Sequence, residues 1–249
     1  EPYARSRQVI IVKAAHRGVR SQSVAQKFRQ DFLVEGRYLY LLQGLGNTLV
    51  ITLFAIIISF FLGSLIAIVR TTHDRTGRYI VLNALCKFYL VIIRGTPTMV
   101  QLLIIYYVIF AAADVSKVLV AIVAFGINSS AYLAEVVRSG IMSIDRGQSE
   151  AGRSLGLSYS QTMRLIILPQ AFKNVLPAIG NELITLLKET SISGYIGLVD
   201  LTKGSDIIRS ITYDAMLPLG VVALIYLAIV LSLSSAVGTL EKKLRKNER

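Results

Sequence analysis

Three stretches of this chain carry no charge. Tyr38 to Val69 contains no Asp, Glu, Lys or Arg, and neither do Gly95 to Ala113 or Ala215 to Leu240. A helix rises 1.5 Å per residue, so about 20 apolar residues cross the hydrocarbon core of a bilayer. Backbone polar groups must be satisfied internally there, which leaves helices or closed barrels. Runs this long suit helices. The chain is 53% hydrophobic and 17% charged, against about 25% charged in an ordinary soluble domain. The expected fold class is therefore an all-α polytopic membrane protein.

Two further spans are expected between these runs, giving five at about 45–69, 95–113, 118–141, 176–199 and 215–240. Gly44 and Gly46 precede the first, and Arg70 closes it. Thr96 suits an N-cap and Pro97 the first helical position, so Pro97 should open the second span behind a shorter entry helix at Asn83 to Ile93. The fourth is unusually polar, with Asn181, Glu182, Lys188 and Glu189. Lipid does not tolerate that, so this helix must be shielded by protein or line a watery path. Val199 to Asp214 reads as a polar loop.

Residues 1–43 read as a basic segment ahead of a transmembrane domain at 44–249. Val24, Phe28 and Phe32 recur there at i, i+4 and i+8, with Gln26, Lys27, Arg29 and Gln30 on the other side. That pattern fits either a helix lying on the membrane or a tail packed on neighbouring helices.

The net charge of +12 does not call for nucleic acid, because basic residues collect in cytoplasmic loops of membrane proteins. With the C-terminus cytoplasmic, the inner segments 70–79, 138–173 and 241–249 hold thirteen basic residues, and the two outer loops hold only Lys117, Lys203 and Arg209. An odd number of spans then puts the N-terminal segment outside, although its eight basic residues oppose the rule. The single cysteine, Cys86, excludes an internal disulfide and a Cys-based metal site. No metal is expected.

Between the third and fourth spans lies Arg146 to Ala171, RGQSEAGRSLGLSYSQTMRLIILPQA. It is too polar for lipid and must sit in water, where another protein can hold it. Gly156 should end a first short helix at a left-handed cap. Ser158 should start a second, with Gln161 three residues on completing a capping box. Leu155, Leu157, Tyr159, Met163 and Ile166 supply apolar contacts, and Pro169 should stop or bend the second helix.

Glu150-Ala151-Gly152, Gly156 and Ile167-Leu168-Pro169 together resemble the EAA motif of permease subunits of bacterial ATP-binding-cassette (ABC) importers. Gly152 stands where the pattern has alanine. Arg94 to Pro97, Asn181-Glu182, Lys188 to Ser191 and Gly46-Asn47-Thr48 narrow the resemblance to the polar amino-acid branch, over about Leu45 to Arg249. The resemblance implies that Glu150, Ala151, Gly152, Gly156, Leu157, Ser158 and Pro169 belong to a cytoplasmic coupling helix-turn-helix seated in a separate ATPase subunit. It further implies two ATPase subunits, a second permease copy or paralogue, an extracytoplasmic solute-binding protein, and a polar amino acid as substrate. This chain has no G-x-x-x-x-G-K-[ST] phosphate loop. It should therefore not be an enzyme and should hold no cofactor, with ATP and Mg bound by the partner ATPase.

Polar side chains inside spans are functional candidates by default. Thr98, Gln101, Asn128, Ser129, Glu135, Asn181, Glu182 and Lys188 are the candidates for a substrate path. Each has a structural alternative. Glu135 and Arg138 stand at i, i+3 and suit a helix salt bridge, Asn181 and Glu182 suit interhelical packing, and Lys188 suits a dimer seam. Two other classes remain: a stand-alone secondary transporter, which would carry an inverted repeat that is not evident, and a non-transporting scaffold, which would leave the coupling stretch unused.

Overall fold

The computed structural model describes residues 23–246, with side chains to 244. No strand occurs among them. Helix α1 (Val24–Phe28) opens on a capping box between Ser23 and Gln26 and runs into a π turn, Arg29–Leu33. A kink with left-handed Glu35 and Gly36 leads to α2 (Tyr38–Thr76). Then come α3 (Ile80–Gly95), α4 (Thr98–Ile104) with a π turn at Ile105–Ile109, and α5 (Lys117–Met142). Helices α6 (Arg146–Ser154) and α7 (Tyr159–Thr162) follow, and α7 continues through a π turn, Met163–Ile167, into α8 (Leu168–Glu189). A 3-10 stretch, Thr190–Ile196, precedes α9 (Leu201–Thr212) and α10 (Met216–Lys246).

Among the described residues α2, α5 and α10 are long and apolar enough to cross a membrane. The α3–α4 pair is a fourth if it counts as one broken span, because it bends by 108°. The break falls at Thr96 and Pro97, and the helical stretch after it ends at Ile109, short of the expected 113. Pro97 lacks an N–H and drives the preceding Thr96 to an extended φ of −122°. Thr96 is not an N-cap either: its hydroxyl donates to Ile92 O at 2.8 Å and accepts from Gln101 Nε2 at 2.6 Å. Helix α4 and its π turn reach only about 18 Å, short of the ~30 Å core.

Helix α8 is long enough, about 33 Å, but too polar to stand in lipid unshielded. It lies eight to ten residues earlier in the chain than expected, because Pro169 does not end the preceding helix. Pro169 takes an early helical position, where a missing N–H costs nothing, and the π turn absorbs the junction. One stripe of α8, with Asn174, Asn181, Thr185 and Lys188, is exposed, while Ile184, Leu186 and Leu187 are buried.

The centre of the fold is α2 against α5. Ile51, Ala55, Val120, Ala121 and Phe125 are buried there together with Leu102 and Leu186. Small residues let the backbones meet: Ser59 Oγ donates to Ala55 O at 2.7 Å and Gly126 O at 3.0 Å.

The stretch expected as a polar loop is α9. Asp200 caps it, accepting from Thr202 N at 2.9 Å and Lys203 N at 3.3 Å. Burial nevertheless pushes the Asp200 carboxyl up to about 6. Leu201, Gly204, Ser205 and Ile208 form the buried face, and Lys203, Asp206 and Arg209 pair among themselves outside. This period of 3.6 was hidden among the charges. Phe32 packs into the same cluster as Leu41, Leu201, Ile208 and Val222, while Val24 stays 72% exposed. In the described part of the N-terminal segment Phe32 packs on neighbouring helices while Val24 and Phe28 stay exposed, and residues 1–22 lie outside the described residues.

Candidate functional site: the helical turn and the intramembrane polar groups

The turn between α6 and α7 is built from local bonds. Asp145 Oδ1 accepts from Gly147 N at 2.6 Å and starts α6. At its end Gly156, with φ of 79°, donates to Arg153 O at 2.9 Å, and Leu157 N donates to Gly152 O at 3.1 Å. This satisfies carbonyls the helix would otherwise leave bare. Ser158 then closes the expected capping box, with Gln161 Oε1 accepting from Ser158 N at 2.9 Å and Ser158 Oγ from Gln161 N at 3.4 Å.

Gly152 has a packing role that its place in the motif does not reveal. A Cβ there would lie 2.7 Å from Thr162 Cγ2 and 2.9 Å from Thr162 Oγ1. The alanine expected from the pattern would force the Thr162 side chain out of its present place. Gly156 differs, since a Cβ there meets nothing within 4 Å. Glu150, Ala151, Ser158 and Pro169 are exposed, Leu157 is half-buried, and Leu155 is 78% exposed. The unit packs inward through Ile144, Met163, Ile167 and Ala171 against Ala67, Val137 and Ile141 of α2 and α5.

The intramembrane candidates divide into three groups. Gln101 and Asn128 hold the α3–α4 bend. Gln101 Nε2 donates to Ile93 O at 2.7 Å and Thr96 O at 3.1 Å, and Asn128 Nδ2 donates to Gln101 Oε1 at 2.8 Å. Thr98, at the start of α4, is half-buried. A second group pairs Ser129 of α5 with Glu182 of α8, Oγ to Oε1 at 2.7 Å. The third is Glu135, which Arg70 grips from α2. Arg94 and Arg138 approach Glu135 at 3.9 Å each, and Arg138 bonds more closely to Asp74 at 2.9 Å. The i, i+3 pair read from sequence is thus the weaker contact. Asn181 and Lys188 stay exposed on the open stripe of α8.

Arg70 is a partner of Glu135 that spacing along the chain does not reveal. It stands 65 residues from Glu135, at the close of the first charge-free run. Asn47 and Thr48 do more than open the first span. They fasten the turn before α9, where Asn47 Nδ2 donates to Val199 O at 2.8 Å and Thr48 Oγ1 accepts from Leu201 N at 3.2 Å.

Comparison with known proteins adds a family. The binding-protein-dependent transport system inner membrane component family matches residues 59–246. The arginine transport system permease protein ArtQ of Bacillus subtilis (strain 168) is 38% identical, over 84% of this chain and 94% of its own length. The putative glutamine transport system permease protein GlnP of Rickettsia typhi is 35% identical, over 85% and 95%. A crystal structure of an amino acid ABC transporter with histidines superposes with a TM-score of 0.76 at 39% identity, covering 85% of this chain and 98% of the other. An inward-facing structure of the MetNI methionine ABC transporter shares the fold, with a TM-score of 0.70 at 21% identity, covering 82% and 95%.

Proposed function

The chain belongs to the family of binding-protein-dependent transport system inner membrane components, and from that membership we propose that it is the permease subunit of an ATP-driven importer for a polar amino acid. The relatives described as arginine and glutamine permeases support an amino acid as the solute. The observation that carries the energy-coupling part is the α6–α7 turn. Local backbone and capping bonds at Asp145, Gly156, Ser158 and Gln161 hold it, yet Leu155 at its tip is 78% exposed. An apolar side chain held in water by a rigid turn suits a groove in another protein. That protein is the ATPase subunit, present twice, which binds ATP and Mg. A solute-binding protein delivers substrate on the opposite face.

A second permease copy or paralogue completes the path. The open stripe of α8 supports this, because Asn181, Thr185 and Lys188 cannot face lipid without large cost. Glu182 lies on the adjoining face, half-buried and bonded to Ser129, and is the residue we assign to solute recognition. Glu182→Gln is expected to raise KM for a cationic amino acid about tenfold relative to a neutral one, the scale of one hydrogen bond to a charged group. Competition uptake assays read this. Wild-type selectivity would remove Glu182 from the path.

The coupling turn and the C-terminal end of α10 share the cytoplasmic side, and the N-terminal segment is outside. Two contacts support this arrangement. Glu241 and Leu244 near the end of α10 line one recess with Lys173, Asn174 and Asn181, whereas Lys27 pairs with Asp214 before its start, at 3.2 Å. A cysteine at position 153 (Arg153→Cys) should react with a membrane-impermeant maleimide only after the cells are opened. Labelling of intact spheroplasts would reverse the orientation.

A further inference from the structure

A recess between α2, α3 and α5 is lined by Arg70, Lys87, Leu90, Val91, Arg94 and Glu135. Three cations face one carboxylate there. Behind it Arg138 and Asp74 pair with each other and cancel. The surplus lies one to two helical turns inside the ends of α2 and α5. Arg70 is six residues before the α2 terminus and Glu135 seven before that of α5, about 10 Å along each axis. A helix of 39 residues, about 58 Å long, outruns a ~30 Å hydrocarbon core, so its last turns reach the headgroup region.

The cations are unequally served. Arg70 is taken by Glu135. Arg94 comes no closer than 3.9 Å to Glu135 and lays its guanidinium over the Tyr132 ring, 5.7 Å from the centroid. Neither Arg94 nor Lys87 has an acceptor at hydrogen-bond distance among the described residues. Lys87, Val91 and Arg94 repeat at i, i+4 and i+7 on one face of α3. The same helix exposes Leu85, Phe88, Val91 and Ile92, with Val91 at 71% and Phe88 at 65%. The recess therefore opens onto an exposed apolar surface of the kind a bilayer covers. Uncompensated cations beside hydrocarbon are costly unless an anion joins them.

We propose that this recess holds the phosphate of an anionic phospholipid from the leaflet on the coupling-turn side, with Lys87 and Arg94 donating to it and the acyl chains lying along the exposed face of α3. Glu135 keeps Arg70 turned inward, so the two outer cations are the ones left for the ligand. The bent α3–α4 pair carries both of them, so an occupied recess braces the bend against α5. The inference requires only that α2 and α3 are embedded in a bilayer and is independent of which solute is carried.

The test is native mass spectrometry of the full permease complex from membranes of mixed phosphatidylglycerol and phosphatidylcholine. Wild type is expected to retain phosphatidylglycerol preferentially, and the double variant Lys87→Gln/Arg94→Gln to lose that preference by about fivefold or more, as removal of near-membrane cations predicts. A control variant, Arg78→Gln, on the same side of the membrane but not lining the recess, should keep it. Equal retention of the two lipids by wild type, or unchanged preference in the double variant, overturns the proposal. So does displacement of bound phosphatidylglycerol by millimolar inorganic phosphate, which would make this a site for a free anion.

Discussion

Gly156→Arg is expected to leave the permease folded and inserted while uptake collapses and ATP hydrolysis by the partner subunits continues without transport. Gly156 has φ of 79°, and a Cβ placed on it meets nothing within 4 Å. An L-residue there costs about 1–2 kcal/mol of local strain, which the bonds of Asp145, Ser158 and Gln161 around the turn can bear. The arginine side chain would project from the tip beside exposed Leu155. A bulky cation at the centre of a docking contact removes on the order of 2 kcal/mol or more, about a 30-fold loss of engagement. Gly156→Asn separates the two causes, since asparagine accepts the left-handed conformation at little cost. It should transport nearly normally. The measurements are solute uptake and ATP hydrolysis by the complex in proteoliposomes. Normal uptake with arginine at the turn would show that this tip is not where force is transmitted.

Gly44→Val should be the most damaging change to the fold itself. A Cβ on Gly44 would lie 2.3 Å from Asp200 O, 2.6 Å from Asp200 C and 2.8 Å from Leu201 N. All three are backbone atoms, so no side chain can swing away. The contact is reciprocal at Gly204, whose Cβ would lie 2.5 Å from Tyr40 O. Separating α9 from α2 also strains the bonds of Asn47 and Thr48 to the turn before α9. Overpacking of this kind costs typically 1–3 kcal/mol, and loss of the adjoining bonds takes it toward 4 kcal/mol, at about 1 kcal/mol for each bond. Gly46→Val is the control on the same helix, because a Cβ there meets nothing within 4 Å. In detergent, Gly44→Val should melt about 8 °C or more below Gly46→Val, at roughly 2–4 °C per kcal/mol. Equal melting temperatures would remove the close approach of α2 and α9 from the account.

Some features of the working parts were legible in advance because their causes lie within a few residues. The capping box at Ser158 and Gln161 and the left-handed break at Gly156 appear where sequence put them, since each is complete within one turn of helix. The role of Gly152 was not legible. Its lack of a side chain matters only because Thr162, ten residues on, packs against it. The same distinction separates Glu135 from its expected partner. Arg138 is close in sequence, but Arg70 on another helix reaches the carboxylate better.

The sequence alone determined that this chain is a bundle of membrane helices with a water-exposed helical turn, because charge-free length and local capping are properties of single segments. Tertiary structure alone decided how the polar groups inside that bundle are used. Beyond the carbonyls of its own helix, a buried polar group in lipid finds its partner on another helix. That partner is fixed by how helices cross and not by spacing along one of them. Gln101 and Asn128 became the brace of a 108° bend, Asp200 became the cap of a helix packed on α2, and Glu182 remained beside the open stripe of α8.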